Sequence, residues 1–173
     1  MDSLDSWHPQ SALRSLLIEA GFDLELYLPL LTIQSLTRGL EGLNPEFSVD
    51  LLHLGSLQVG EIQYFSRRVK LKLKEQAVIA AESLCDENSQ FWCEYLNCGT
   101  QSLGRRLFNG ENVIERTPFE YALIAAKELP DFAQEELYED EVIIARRSLF
   151  FREKEQLSLI EYYLPSLNHF KSC

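Results

Sequence analysis

From Arg67 to Lys74 the chain reads RRVKLKLK, with Val69, Leu71 and Leu73 alternating with Lys70, Lys72 and Lys74. A period of two predicts a half-buried strand, apolar on one face, with the lysines as its wet face. Lys74-Glu75-Gln76 is a polar turn, and Ala77 to Cys85 (AVIAAESLC) returns almost entirely apolar. The two runs predict an antiparallel hairpin. Val142 to Phe151 (VIIARRSLFF) and Leu157 to Leu164 (LSLIEYYL), joined by polar residues 152–156 and ended by Pro165, predict a second one. Phe47 to Leu57 holds alternating apolar positions, and Val113 to Ala126 is another strand-rich stretch.

Between these runs the period changes. Ser11 to Ala20 reads as a helix with Leu13, Leu16, Leu17 and Ala20 on one stripe, and Gly21 stands at the C′ position. A loop is expected through Pro29. Ser35 or Thr37 then caps a short helix through Leu43, which Asn44-Pro45 stops. Asn88 to Asn97 and Ser102 to Phe108 read as short helices, and Asn109-Gly110 as a turn. Glu135 to Glu141 is a solvated acidic loop or helix end, and residues 1–10 are a loose arm. Strands in sequential pairs with a few interspersed helices indicate the α+β class, as one domain over residues 1–173 with an antiparallel sheet. The βαβ alternation of a doubly wound fold is missing, and so is any GxGxxG or GxxxxGK[ST] phosphate loop.

Composition narrows the partners. The 173 residues are 46% apolar, enough for a sizeable core. Sixteen Lys and Arg against 27 Asp and Glu leave a net charge of −11. That excess argues against a nucleic-acid module and against docking on anionic lipid. No run reaches the ~18 apolar residues of a membrane span. The N-terminus carries Asp2 and Asp5 where a secretory signal would be basic, so a cytoplasmic protein is expected. Cys85, Cys93, Cys98 and Cys173 form no CxxC pair and read as reduced thiols; with His8, His53 and His169 scattered, no metal site is predicted. No coiled-coil seam or adhesive edge is visible, and a monomer is expected.

Two charges interrupt the apolar runs, Glu82 in AVIAAESLC and Glu161 in LSLIEYYLP. A buried carboxylate must be paired, hydrogen-bonded or protonated, so each is either a functional candidate or half of a structural ion pair. Arg146-Arg147 are adjacent on a predicted strand and must point to opposite faces; the inward one could pair with Glu82 or Glu161. Residues 99–102 lead into the helix that carries Leu103, and Ser35-Leu36-Thr37 makes a similar helix start. The free backbone N–H groups of such starts suit a carboxylate ligand. No Ser/His/Asp or Cys/His set supports nucleophilic catalysis.

Three segments together resemble the chorismate pyruvate-lyase family, which makes 4-hydroxybenzoate for quinone synthesis. Leu30 to Glu41 (LLTIQSLTRGLE) is similar to the family's apolar stretch followed by Ser, an apolar residue, Thr and a helix with Glu. Gln101 to Phe108 (QSLGRRLF) resembles its T-x-L-G-x-x-L-F segment. Arg146 to Pro165 resembles its R-R-S strand, polar turn and apolar strand ending in E-x-x-L-P. The likeness runs from about residue 20 to 168. It implies a six-stranded antiparallel sheet with flanking helices and a ligand buried under helical flaps. It implies a lyase that converts chorismate to 4-hydroxybenzoate and pyruvate, for ubiquinone or plastoquinone, without metal or organic cofactor. Glu161 would meet the ring hydroxyl, and the backbone N–H groups of Leu36 and Leu103 would hold the ring carboxylate.

The chain departs from the family at one point. The family commonly places an Arg on the central strand to clamp that carboxylate, and aligning the hairpin by its turn puts Glu82 there. The clamp could have moved to Arg147 or Arg146 with Glu82 as ion-pair partner, the hairpin alignment could be off, or the pocket could take another ligand. Beside the lyase stands a second reading, a non-catalytic binding protein for an aromatic carboxylate on the same fold, like regulator effector domains.

Overall fold

In the computed structural model, which describes residues 6–101, 103, 107, 114–135 and 137–171, the two predicted hairpins lie side by side in one antiparallel sheet. The strands are β1 (His8–Pro9), β2 (Phe47–Val59), β3 (Ile62–Leu73), β4 (Gln76–Asp86), β5 (Glu115–Arg116), β6 (Glu120–Ala125), β7 (Val142–Arg152) and β8 (Glu155–Tyr163). Their order is β1-β6-β7-β8-β4-β3-β2, with β5 paired to β7. The sheet thus has eight strands where six were implied; β1 and β5 are the two-residue additions. Lys74 and Glu75 both adopt positive φ (48° and 66°), the twist-matching geometry of a tight hairpin turn.

Register sets the faces. Leu51, Val69, Ala81, Glu161, Arg146 and Tyr121 lie opposite one another across β2, β3, β4, β8, β7 and β6, and so form one row on one face. One residue further along, Arg68, Glu82, Ile160, Arg147 and Glu120 form a row on the reverse face.

The first face is covered by α1 (Leu13–Ala20), α2 (Leu24–Thr32) and α3 (Leu36–Leu43). Leu13, Leu17, Leu30, Leu31 and Leu40 pack there on Val69, Leu73, Ile79 and Tyr163. Gly21, at φ 81°, closes α1 as the sequence predicts. The loop expected through Pro29 is instead part of α2. Asp23 caps that helix, its side chain accepting from the N–H of Leu26 at 3.2 Å. Burial of Leu26, Tyr27, Leu30 and Leu31 outweighs the ~3 kcal/mol cost of an internal proline. Gly39 permits the close approach of α3 to α2: a Cβ there would meet Leu30 Cδ2 at 3.0 Å and Ile33 Cγ2 at 3.3 Å.

The other half of the same face is covered by α4 (Gln90–Leu96) and by Leu103 and Leu107, which pack with Cys85, Phe150 and Leu157. The rest of the predicted 102–108 helix, like the 109–110 turn, lies outside the described residues. The reverse face is not simply wet. Leu129, Phe132 and Ala133, the last two in α5 (Asp131–Gln134), close over Ala80, Ala122, Ala145 and Tyr162. Lys70, on this face, pairs with Glu135 and Lys72 with Asp50. The arm reaches the sheet through β1, with Trp7 packed on the reverse-face cluster.

Two tyrosine hydroxyls tie the helical layer to the sheet: Tyr121 donates to the Leu31 carbonyl at 2.7 Å and Tyr163 to the Leu30 carbonyl at 2.9 Å. Burial pushes Tyr27, Tyr121 and Tyr162 up to about 12 and Tyr163 well above its ordinary value. A raised folded-state pKa stabilises the fold fully below the unfolded value of 10, and that contribution is lost as pH rises through the folded value. Stability in urea should therefore fall steadily between pH 10 and about 12. Tyr121→Phe should flatten part of that fall; an unchanged stability across the window would contradict it.

Candidate functional site

The row containing Glu161 and Arg146 runs beneath the junction of the two helical covers, and a cavity of about 40 Å³ remains there. That volume is room for a few waters at roughly 10–15 Å³ each in the same measure. Its apolar walls include Leu36, Val69 and Phe119 on one side and Leu103, Phe150 and Leu159 on the other. Arg67, Arg146 and Glu161 are its charged lining among the described residues, two guanidiniums to one carboxylate.

Arg146 and Glu161 are cross-strand neighbours, and both are buried, at 1% and 7% exposure. Arg146 Nε donates to Glu161 Oε1 at 2.5 Å. Its Nη1 donates to the carbonyls of Leu31 (3.2 Å) and Ile33 (2.6 Å), where α2 ends. Carbonyls at a helix C-terminus lack intrahelical donors and carry the negative end of the helix dipole, so a guanidinium is a suitable partner. The guanidinium also lies over the Phe119 ring, 4.1 Å from its centroid, with Arg116 3.9 Å from the same centroid. Burial opposes the charge on Arg146, but the Glu161 carboxylate beside it, with smaller contributions from Tyr163 and Tyr121, outweighs this and holds its pKa above the ordinary value. Burial, followed by the nearby Arg146 charge, lowers that of Arg116.

Arg67 enters the same cavity from β3 at 3% exposure. Its Nη2 donates to the carbonyls of Gly99 (3.1 Å) and Gln101 (3.0 Å), which are formally neutral, and fastens the segment leading to Leu103 onto the sheet. Opposite stands the start of α3, with Leu36 and Thr37 in the cavity wall. Ser35, the N-cap, has a buried hydroxyl with no hydrogen-bond partner among the described residues. A helix start, a guanidinium and a buried carboxylate thus converge on one small space.

Of the residues singled out from the sequence, Leu36, Leu103, Arg146 and Glu161 line this cavity. Glu82 and Arg147 do not, because each is one residue out of phase and so faces the reverse side. Glu82 is bound to Arg68 there, with the Arg68 guanidinium 4.9 Å from the Phe132 ring centroid. Arg147 pairs with Glu120 at 3.1 Å and lies over Trp7. An arrangement in which Arg147 clamps a ligand with Glu82 as its partner is therefore corrected by strand parity. Sequence reading missed Arg67. The signal was present in RRVKLKLK, since carrying the alternation one step back from Val69 puts Arg67 on the apolar face.

No family model matches the chain, and no curated protein matches it. Among solved structures, the effector domain of PhnF from Mycobacterium smegmatis aligns with a TM-score of 0.52 at 11% identity, over 77% of this chain and 90% of that chain. The ligand-binding domain of a GntR-family transcriptional regulator from Bordetella bronchiseptica aligns at 0.47 and 10% identity, over 69% and 86%. A possible transcriptional regulator, YydK, from Bacillus subtilis subsp. subtilis str. 168 aligns at 0.48 and 11% identity, over 70% of this chain and 60% of that chain. The α+β fold is thus shared with the PhnF effector domain. Among the described residues no helix is long and apolar enough to cross a membrane.

The two adjacent arginines should behave differently. Arg146→Ala strips the buried Glu161 carboxylate of its cation and the Ile33 carbonyl of the guanidinium donor, while Tyr121 still serves the Leu31 carbonyl, and should cost about 3–5 kcal/mol in urea unfolding. Arg147→Ala removes an exposed pair and should cost no more than about 1 kcal/mol. Equal losses would contradict this assignment of faces.

Proposed function

We propose that this protein binds a small carboxylate-bearing ligand, most simply an aromatic acid, in the cavity between α3, Leu103 and the sheet. The observation that carries this reading is the convergence of Arg67 and the start of α3 on one apolar-walled space. Charge-assisted hydrogen bonds from a guanidinium, with backbone N–H groups at a helix start, hold a carboxylate well. Leu36, Phe119, Phe150 and Leu159 offer the apolar surface for a ring. The cavity holds only a few waters, so a ring enters as the cover over the sheet, α3 and Leu103, moves aside. The fold shared with the PhnF effector domain supports binding as the role.

A second reading is the lyase. It is favoured by one observation: the residues to which the family resemblance gives roles, Leu36, Leu103 and Glu161, line the same cavity, and Arg67 supplies the guanidinium that β4 lacks. Chorismate loses its enolpyruvyl side chain as pyruvate, and aromatisation drives the reaction. In this reading the protein positions the ring, excludes water and anchors carboxylates. Against it, Glu161 is already held by Arg146, which leaves one carboxylate oxygen for a ring hydroxyl.

Calorimetric titration with 4-hydroxybenzoate, beside a chorismate incubation followed by chromatography, separates the two. Binding without turnover is expected, with Arg67→Met weakening it at least tenfold, on the order of 1.4 kcal/mol, and Lys72→Gln leaving it unchanged. Product well above the uncatalysed background, abolished by Glu161→Gln, would establish the lyase instead. Neither binding nor product would overturn both readings.

A further inference from the structure

Outside the cavity, the fold brings two thiols together. Cys85 lies near the end of β4, buried in the cluster formed with α4, and Cys93 lies half-buried on α4 itself. Their sulfurs are 4.0 Å apart. The chain between them is a built reversal. The N–H of Ser89 donates to the Asp86 carbonyl at 3.0 Å and that of Asn88 to Asp86 Oδ1 at 2.8 Å. The Ser89 hydroxyl caps α4 by accepting from the N–H of Trp92 and itself donates to Glu155 at 3.0 Å. Trp92, fully buried, pins the helix over the strand. Both sulfurs are therefore delivered by ordered elements, and the distance left to a disulfide bond is about 2 Å.

We propose that Cys85 and Cys93 form a reversible disulfide, a thiol switch that locks α4 onto the end of β4. With a peroxide as oxidant, the Cys93 sulfur attacks one oxygen and the O–O bond breaks. Cys93 becomes a sulfenic acid and the other oxygen leaves as water. The Cys85 sulfur then attacks the Cys93 sulfur, the S–S bond forms, and the sulfenic hydroxyl leaves as a second water with the Cys85 proton. The two thiols lose two electrons and two protons, and the peroxide is reduced to two waters. Cys93 is the entry point because it is the more exposed sulfur, whereas Cys85 is enclosed by the core.

The surroundings set the threshold. Burial and the acids Asp86, Glu87 and Glu155 raise the Cys93 thiol, against a lowering contact from Cys85; burial, with Cys93 and the same acids Asp86 and Glu155, pushes Cys85 up to about 12. The thiolate is the reactive form. The pair therefore stays reduced under mild conditions, and its oxidation accelerates as pH rises. Leu103, Phe150 and Leu159 belong to the cluster that α4 covers and also line the cavity, so the bond would stiffen one of the cavity's walls.

The test uses the full chain, treated with hydrogen peroxide, alkylated and digested for mass spectrometry. The expected result is a linked Cys85–Cys93 peptide lighter by two hydrogens, formed faster at higher pH and reversed by dithiothreitol. It should be retained in Cys98→Ser and lost in Cys93→Ser, with a melting temperature raised by roughly 5–10 °C in the oxidised protein. A link from either thiol to Cys98 or Cys173, a dimedone-trapped sulfenic acid at Cys93 that never proceeds to a disulfide, or unmodified thiols would overturn the proposal.

Discussion

The buried pair between Arg146 and Glu161 is the constraint on which the rest of the site depends. Removing two charges from water costs several kcal/mol per ion, and the attraction between them repays this only when the remaining donors and acceptors are also met. Here the guanidinium is met by the end of α2, whose Leu31 and Ile33 carbonyls accept from it, and by the face of Phe119. One side chain thereby ties β7, β8 and α2 together at a point. Tyr121 and Tyr163 add their hydroxyls to carbonyls in the same turn of α2. Since α3 starts at Leu36, a few residues beyond Ile33, fixing the end of α2 also fixes where the start of α3 faces.

This arrangement divides labour between two arginines. Arg146 is committed to the frame; Arg67 lines the cavity, its Nη2 donating to the Gly99 and Gln101 carbonyls. The chain as a whole carries −11, so its long-range field repels an anion. Recognition of a carboxylate must then rest on local groups within an apolar wall, where screening is weak and a single guanidinium matters more than the surface total. On the reverse face, Arg68 with Glu82 and Arg147 with Glu120 flank Ile160 as cross-strand pairs.

Much of the fold was legible because strand periodicity is written in single residues. The hairpin limits at Lys74-Glu75 and at 153–154 followed from polar turns between alternating runs. The opposite facing of Arg146 and Arg147 followed from parity alone. Register was not legible. Nothing local says that Arg68 meets Glu82 or that Ala81 meets Glu161, because pairing is decided by two distant segments at once. The helix through Pro29 was missed because propensity counts the proline, whereas tertiary burial of its neighbours decides. The role of Glu82 was misjudged because alignment by the turn compares positions along the chain and cannot show that the cation needed in the wall stands on the adjacent strand, at Arg67.

The central claim is that the cavity selects a negative charge through Arg67 and the start of α3. Its most direct test is to compare, by calorimetric titration at constant pH, 4-hydroxybenzoate with its amide, which keeps the ring and shape and loses the charge. The account predicts that the carboxylate binds at least tenfold more tightly. Equal affinity for the two, or preference for the amide, would contradict it.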